Sequence, residues 1–242
     1  MAETDAIEWD PQKDEPADLS ELDYDYTSVQ DKIDAGLREK EKGNRLFAQG
    51  KYEAAWKQYD RCFVHVFTSK EEWAAIGSEG RNAINKFRLP CHLNRGLCRL
   101  KKDELTDALW DFTEALRIEE NNAKGLFRRA TTLIRMVEAD MAKEGTDQLW
   151  DLDEAEKKAD DAKKDLHKAV RIVPGDLNVR NALDELKEVK KQLAEHRKRY
   201  RQQQKKLYYT FVSNLDRDNR KITETEEDLC KDMPNLERVY ID

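Results

Sequence analysis

The run Gly43-Asn44-Arg45-Leu46-Phe47-Ala48-Gln49-Gly50-Lys51-Tyr52-Glu53-Ala54-Ala55-Trp56-Lys57-Gln58-Tyr59-Asp60-Arg61-Cys62 spaces its small and aromatic residues as a pair of packed helices requires. With Gly43 at position 8 of a 34-residue ruler, Gly50 falls at 15, Tyr52 at 17, Ala55 at 20, Tyr59 at 24 and Cys62 at 27. Setting Gly96 at position 8 puts Ala108 at 20, Phe112 at 24 and Ala115 at 27. A third copy begun at Ala123 puts Ala130 at position 8; its second half, set back from Pro174 at position 32, puts Ala162 at 20, Leu166 at 24 and Ala169 at 27. Small residues at 8 and 20 let two antiparallel helices approach closely. A large apolar residue at 24 fills the space between neighbouring pairs. Such a pair cannot bury its apolar face alone, so copies must stack.

The pattern resembles the tetratricopeptide repeat. It predicts an all-α fold: three tetratricopeptide repeats, a helix-turn-helix solenoid, within residues 31–176, followed by a long C-terminal capping helix over 177–215. The repeats occupy 36–69, 89–122 and 123–176. Residues 70–88 are surplus between the first two. Ser69-x-x-Glu72 is a capping-box pattern, and Ile76, Ile84 and Phe87 are apolar, so this surplus is expected as helical extension. Repeat 3 has 20 residues too many, placed between Arg135 and Ala159. With Gly145-Thr146-Asp147 as the break there, both of its helices are expected to be lengthened and to turn at Gly145, each by about 10 residues or about 15 Å. Met141, Leu149 and Trp150 are then apolar side chains on a projecting pair with little core. Past Pro174-Gly175-Asp176, the residues Val179, Leu183, Leu186, Val189 and Leu193 mark one amphipathic helix capped by Asp176. Its distal half is strongly basic from His196 to Arg201.

Composition narrows the function classes. The chain has 242 residues, 39% of them charged, with 9 Gly and 5 Pro, a balance that suits long solvated helices rather than strands and turns. Residues 1–30 carry a net charge of −9, leaving +2 on the rest, so an acidic leader precedes a nearly neutral repeat region and nucleic acid is a poor partner. The leader reads as a disordered solubilising tail, or as a partner peptide anchored by Trp9 or by Tyr24 and Tyr26; residues 216–242 read as an acidic tail. No apolar run reaches the length of a membrane span, and Met1 to Asp10 is acidic rather than signal-like, so a cytoplasmic protein is expected, with the nucleus as a second compartment. Four Cys without a CxxC pair argue against disulfides and zinc, and Cys91 and Cys98 read as small core residues. No metal or cofactor is expected. His65, His92, His167 and His196 have no triad-like company. The carboxylates from Asp147 to Asp165 alternate with Lys157, Lys158, Lys163 and Lys164, as on a solvated helix face. The chain is therefore not expected to be an enzyme.

The candidate site is a binding site. In stacked repeats the first helix of each pair lines a groove. Those helices offer Lys40 and Asn44 in repeat 1, Asn94 in repeat 2, and Lys124 and Arg128 in repeat 3. Two lysines, an arginine and two carboxamides suit an anion held by charge-assisted hydrogen bonds. A peptide ending in Asp brings its main-chain and side-chain carboxylates together. Leu46 and Phe47 form an apolar wall for the penultimate side chain, or else belong to the core.

These five residues look like the dicarboxylate clamp of co-chaperones that bind the Met-Glu-Glu-Val-Asp tail of heat shock protein 90, or the related tail of heat shock protein 70. The stretches Lys40-Glu41-Lys42-Gly43-Asn44, Cys91-His92-Leu93-Asn94 and Asn121-Asn122-Ala123-Lys124-Gly125-Leu126-Phe127-Arg128-Arg129 carry the match. The last two, and Lys205-Lys206-Leu207-Tyr208-Tyr209-Thr210-Phe211 near the end of the last helix, resemble the repeat domain of the large FK-binding immunophilins and the aryl-hydrocarbon-receptor-interacting protein. The resemblance covers roughly residues 36–212. It implies a chaperone-binding adaptor that presents other surfaces to a client or third protein. Its alternatives are the repeat part of a peptidyl-prolyl isomerase, or a scaffold for another acidic peptide. The 35 mostly acidic residues before the repeats are too few for an isomerase domain. Pro90 departs from the pattern: it either opens the helix at N1 or kinks it before Asn94. The final Ile241-Asp242 is itself a minimal ligand for such a clamp.

Overall fold

In a computed structural model, the structure describes residues 26–143 and 151–215, which form eight α-helices. They are α1 (Val29–Ala48), α2 (Tyr52–His65), α3 (Lys70–Ala75), α4 (Ser78–Lys101), α5 (Leu105–Ile118), α6 (Ala123–Met141), α7 (Leu152–Ile172) and α8 (Leu177–Leu215). The chain divides into two units, one to Leu193 and one from Ala194. In the first, α1 packs on α2, α4 on α5 and α6 on α7, and α4 and α6 each also pack on the preceding pair.

Local chemistry sets the ends of these helices. Ser28 caps α1 by accepting from the Asp31 N–H, while Thr27 and Ser28 donate to the Asp31 carboxylate. The helix begins at Val29, two residues inside the segment assigned to the leader. It ends with Gly50 at φ 73°, where the N–H groups of Gly50 and Lys51 return to the carbonyls of Phe47 and Leu46. The same double return closes α4: Asp103 at φ 67° bonds Leu100, and Glu104 bonds Arg99. Asp103 and Gly50 both occupy position 15 of the ruler, so the turn repeats although the glycine does not.

Position 8 packs against position 24 as the spacing requires. A Cβ on Gly43 would lie 2.9 Å from the Tyr59 ring, and one on Gly96 2.8 Å from the Phe112 ring and 2.9 Å from Asp111 Cβ. Gly96→Ala is accordingly expected to cost about 1–3 kcal/mol, through forced separation of α4 and α5, as measured by urea unfolding.

The surplus between repeats 1 and 2 forms α3 and the first turns of α4. Ser69 accepts from the Glu72 N–H, and Glu72 turns to pair with Lys32 rather than bonding back. Trp73, Ile76 and Ala83 pack on the cluster of Ile33, Ile84 and Phe87. Pro90 sits deep inside α4, which corrects the reading that it opens the helix at N1. It deprives the Lys86 carbonyl of a helical donor, and Lys86 is exposed, so water can take that carbonyl.

Both helices of repeat 3 are lengthened. On the ruler α1 and α4 end at position 13 whereas α6 runs on to Met141 at position 19, and α2 and α5 begin at position 17 whereas α7 begins at Leu152, seven residues before it, so the surplus is shared almost equally. Against expectation, the lengthened pair does have a core. Val137, Ala155 and Ala159 are fully buried, and Met141 packs against them. The alanines let the two helices close on each other, and Asp140 holds both Lys143 at 2.7 Å and Lys158 at 2.9 Å. Gly145-Thr146-Asp147, Leu149 and Trp150 lie outside the described residues, as do Trp9, Tyr24, Ile241 and Asp242.

Asp176 caps α8 by accepting from the Asn178 N–H at 2.8 Å. Val179, Ala182, Leu186, Val189 and Leu193 of α8 join the core of α6 and α7. In the second unit, Tyr200, Leu207 and Phe211 are exposed on the basic part of the helix. Among the described residues no helix is long and apolar enough to cross a membrane, and no cluster could hold a metal ion.

Candidate functional site

The five candidate residues lie on α1, α4 and α6, the first helices of the three pairs, and α4 packs on both of the others. Lys40 and Asn44 are one turn apart on α1, as are Lys124 and Arg128 on α6. Asn44 Oδ1 accepts from Tyr59 Oη at 2.7 Å and from Asn94 Nδ2 at 3.3 Å, joining the first two repeats. Arg128 Nη1 donates to the Leu93 carbonyl at 2.7 Å, beside Asn94, joining the second and third. The structure thus strings Asn44, Asn94 and Arg128 into one row although Pro90 lies inside α4. Lys40 stands over the Phe87 ring at 5.8 Å, and Lys124 is exposed; neither bonds to the row.

Charge is uncompensated here. Among the described residues no carboxylate pairs with Lys40, Lys124 or Arg128. The contrast with the next residue is direct: Arg129, on the other side of α6, holds Asp165 with two bonds of 2.7 Å. Burial pushes the Arg128 guanidinium below its ordinary pKa, yet arginine starts so high that the charge remains. A half-buried cation without a counter-ion favours an incoming anion, because the anion offsets a desolvation cost already incurred on folding.

Leu46 and Phe47 pack with Trp56 against Ala55, Tyr59 and Cys98, and Phe47 meets the Tyr52 ring at 5.3 Å. Cys91 and Cys98 are fully buried, and burial raises the Cys98 thiol to about 12. A separate groove of about 560 Å³ lies between α7 and α8, lined by Lys163, His167, Arg180, Leu183 and neighbours. Two of its lysines are already matched, Lys187 to Asp184 and Lys190 to Asp160, so it offers less free charge than the row on α1, α4 and α6.

Sequence reasoning missed a buried ion cluster behind the site. Asp111 of α5, fully buried, accepts from Arg95 at 2.9 Å and Arg99 at 2.7 Å, and lies 3.0 Å from His92 Nδ1. Arg95 also reaches Asp60 of α2 at 2.6 Å and lies 4.2 Å from the Phe63 ring centroid. His92 therefore has a carboxylate partner, contrary to expectation, but the cluster it joins is a network of two arginines and two aspartates that ties α2, α4 and α5 together. Arg95 and Asp111 occupy positions 7 and 23 of the ruler, as do Arg129 and Asp165. That repetition was the available signal.

No protein-family model matches the chain. Among solved structures, the C-terminal TPR-containing domain of a Plasmodium falciparum FK506-binding protein superposes with a TM-score of 0.55 at 23% identity, covering 72% of this chain and 98% of that one. This chain folds as a tetratricopeptide-repeat domain. The Hsp90 co-chaperone Cns1 from Saccharomyces cerevisiae has the same fold, with a TM-score of 0.50 at 19% identity over 84% of this chain and 56% of that one. In sequence, the repeat domain is 26% identical over 198 residues to the peptidyl-prolyl cis-trans isomerase FKBP4 of Mus musculus, covering 81% of this chain and 36% of that protein. It is 27% identical over 189 residues to FKBP42 of Arabidopsis thaliana, covering 78% of this chain and 44% of that protein. The repeat domain thus resembles part of the large FK-binding immunophilins, and spans less than half the length of these relatives.

Proposed function

We propose that this chain is a chaperone-binding adaptor, a co-chaperone whose groove captures the acidic C-terminal Glu-Glu-Val-Asp tail of heat shock protein 90, heat shock protein 70, or both. The observation that supports this reading is the set of three cations, Lys40, Lys124 and Arg128, without carboxylate partners among the described residues, flanking the Asn44–Asn94 pair on consecutive first helices. Each cation can meet a carboxylate oxygen, and a terminal Asp supplies two carboxylates on one residue. The likeness in fold to the yeast Hsp90 co-chaperone Cns1 supports the choice of ligand. The other faces of the domain are left for a client or third protein, in the cytoplasm.

The test is fluorescence anisotropy with two labelled peptides, one per chaperone tail, at low and high salt. Saturable binding that weakens as salt rises supports the reading, since exposed charges are screened. An isomerase assay on the same protein separates it from the immunophilin alternative: turnover of a prolyl peptide would favour the enzyme.

A further inference from the structure

We propose that Tyr59 is a positioning residue of the groove: it fixes the Asn44 carboxamide so that only its NH2 faces a ligand. The proposal rests on the clamp reading above and deepens it, because it says what chemistry the ligand's end must have.

Tyr59 belongs to α2, the second helix of repeat 1, and is 1% exposed. Its ring is held against Gly43, where a Cβ would come within 2.9 Å, so the ring has little freedom to shift toward α1. From that fixed place its hydroxyl donates to Asn44 Oδ1 at 2.7 Å. Asn94 Nδ2 reaches the same oxygen at 3.3 Å. A carboxamide oxygen has two lone pairs, and both are committed here to donors from within the protein. Turning Asn44 over by itself would set its NH2 against that of Asn94. What Asn44 has left for the exposed side is therefore its NH2.

The consequence is polarity. With Asn44 held as a donor, it joins Lys40, Lys124 and Arg128, which have no acceptor at all. A carboxylate satisfies such a row, whereas a terminal amide sets its own N–H groups against it. Tyr59 thus contributes to the choice of a free C-terminus without touching it.

The test is a double-mutant cycle read by calorimetry with an Asp-terminated acidic peptide and the same peptide amidated. Tyr59→Phe keeps the ring and removes only the hydroxyl. It is expected to weaken acid-peptide binding about three- to tenfold, the scale of one neutral hydrogen bond, and to narrow the preference for acid over amide. In an Asn44→Ala background the same change is expected to have no further effect, because Tyr59 acts through Asn44. A full effect that persists in that background overturns the proposal, as does unchanged binding by Tyr59→Phe when Asn44→Ala weakens it. Unchanged binding by Asn44→Ala removes the clamp reading, and this proposal with it. A readout that needs no Tyr59 variant is the Asn44 side-chain NH2 resonance of the wild-type protein, assigned by its loss in Asn44→Ala. It is expected to shift on adding the acid peptide, and an unmoved resonance at saturation also overturns the proposal.

Discussion

Asp111→Ala is expected to cost about 3–5 kcal/mol of folding stability, the range for breaking a buried charge cluster by removing one partner. Buried Arg95 would keep only Asp60, half-buried Arg99 would lose its carboxylate, and His92 its partner. The change would be felt in three helices, since Arg95 also holds Asp60 on α2. Urea unfolding of the variant measures it, and a loss under about 1 kcal/mol would show that the cluster is not a structural tie. The same carboxylate gives a pH signature. Burial alone would raise its pKa, but the Arg95 charge, the His92 hydrogen bond and the Arg99 charge outweigh burial and hold it below the usual carboxylate value. A depressed pKa contributes stability that is fully present above the unfolded value, near about 3.9, and is lost as pH falls through the folded value. The wild-type protein should therefore lose this contribution only in acid below about pH 4, and Asp111→Asn should flatten that part of the profile.

Arg128→Ala and Lys40→Ala should each weaken binding of an Asp-terminated peptide by about 1.5–3 kcal/mol, the scale of a hydrogen bond to a charged group. Stability should move far less. Among the described residues Lys40 has no carboxylate partner to lose, and Arg128 gives up one bond to the Leu93 carbonyl while a half-buried charge is relieved. Calorimetry and urea unfolding on the same preparations separate the two effects. Unchanged peptide binding in both variants would contradict the assigned groove.

The repeat architecture was readable because it is written in residue size. Gly43 against Tyr59 and Gly96 against Phe112 leave no room for a side chain at position 8, so size alone marks where the two helices meet. The clamp candidates were readable as a set, by type and position. Their geometry was not, because whether Asn94 still meets Asn44 depends on how α4 carries Pro90, and that is decided by packing along the whole helix. That the lengthened α6–α7 pair carries a core of its own was out of reach, since a buried alanine seam at Ala155 and Ala159 looks in sequence like the small residues of any solvated helix. The ion pairs at positions 7 and 23 were overlooked for a different reason: Lys42 and Gln58 stand there in repeat 1, so the pattern is complete in only two of three copies. Tyr59 was read as a packing residue, which it is. Its hydroxyl gains a second role only because Asn44 lies above it.

The central claim is that the row on α1, α4 and α6 recognises a free, acidic C-terminus. Titrating the wild-type protein with a Met-Glu-Glu-Val-Asp peptide and with its C-terminal amide, under identical salt, tests it most directly. The account predicts saturable one-to-one binding of the acid and at least about tenfold weaker binding of the amide, which lacks one charged acceptor. Equal affinity for the two peptides, or no binding of either, would contradict it.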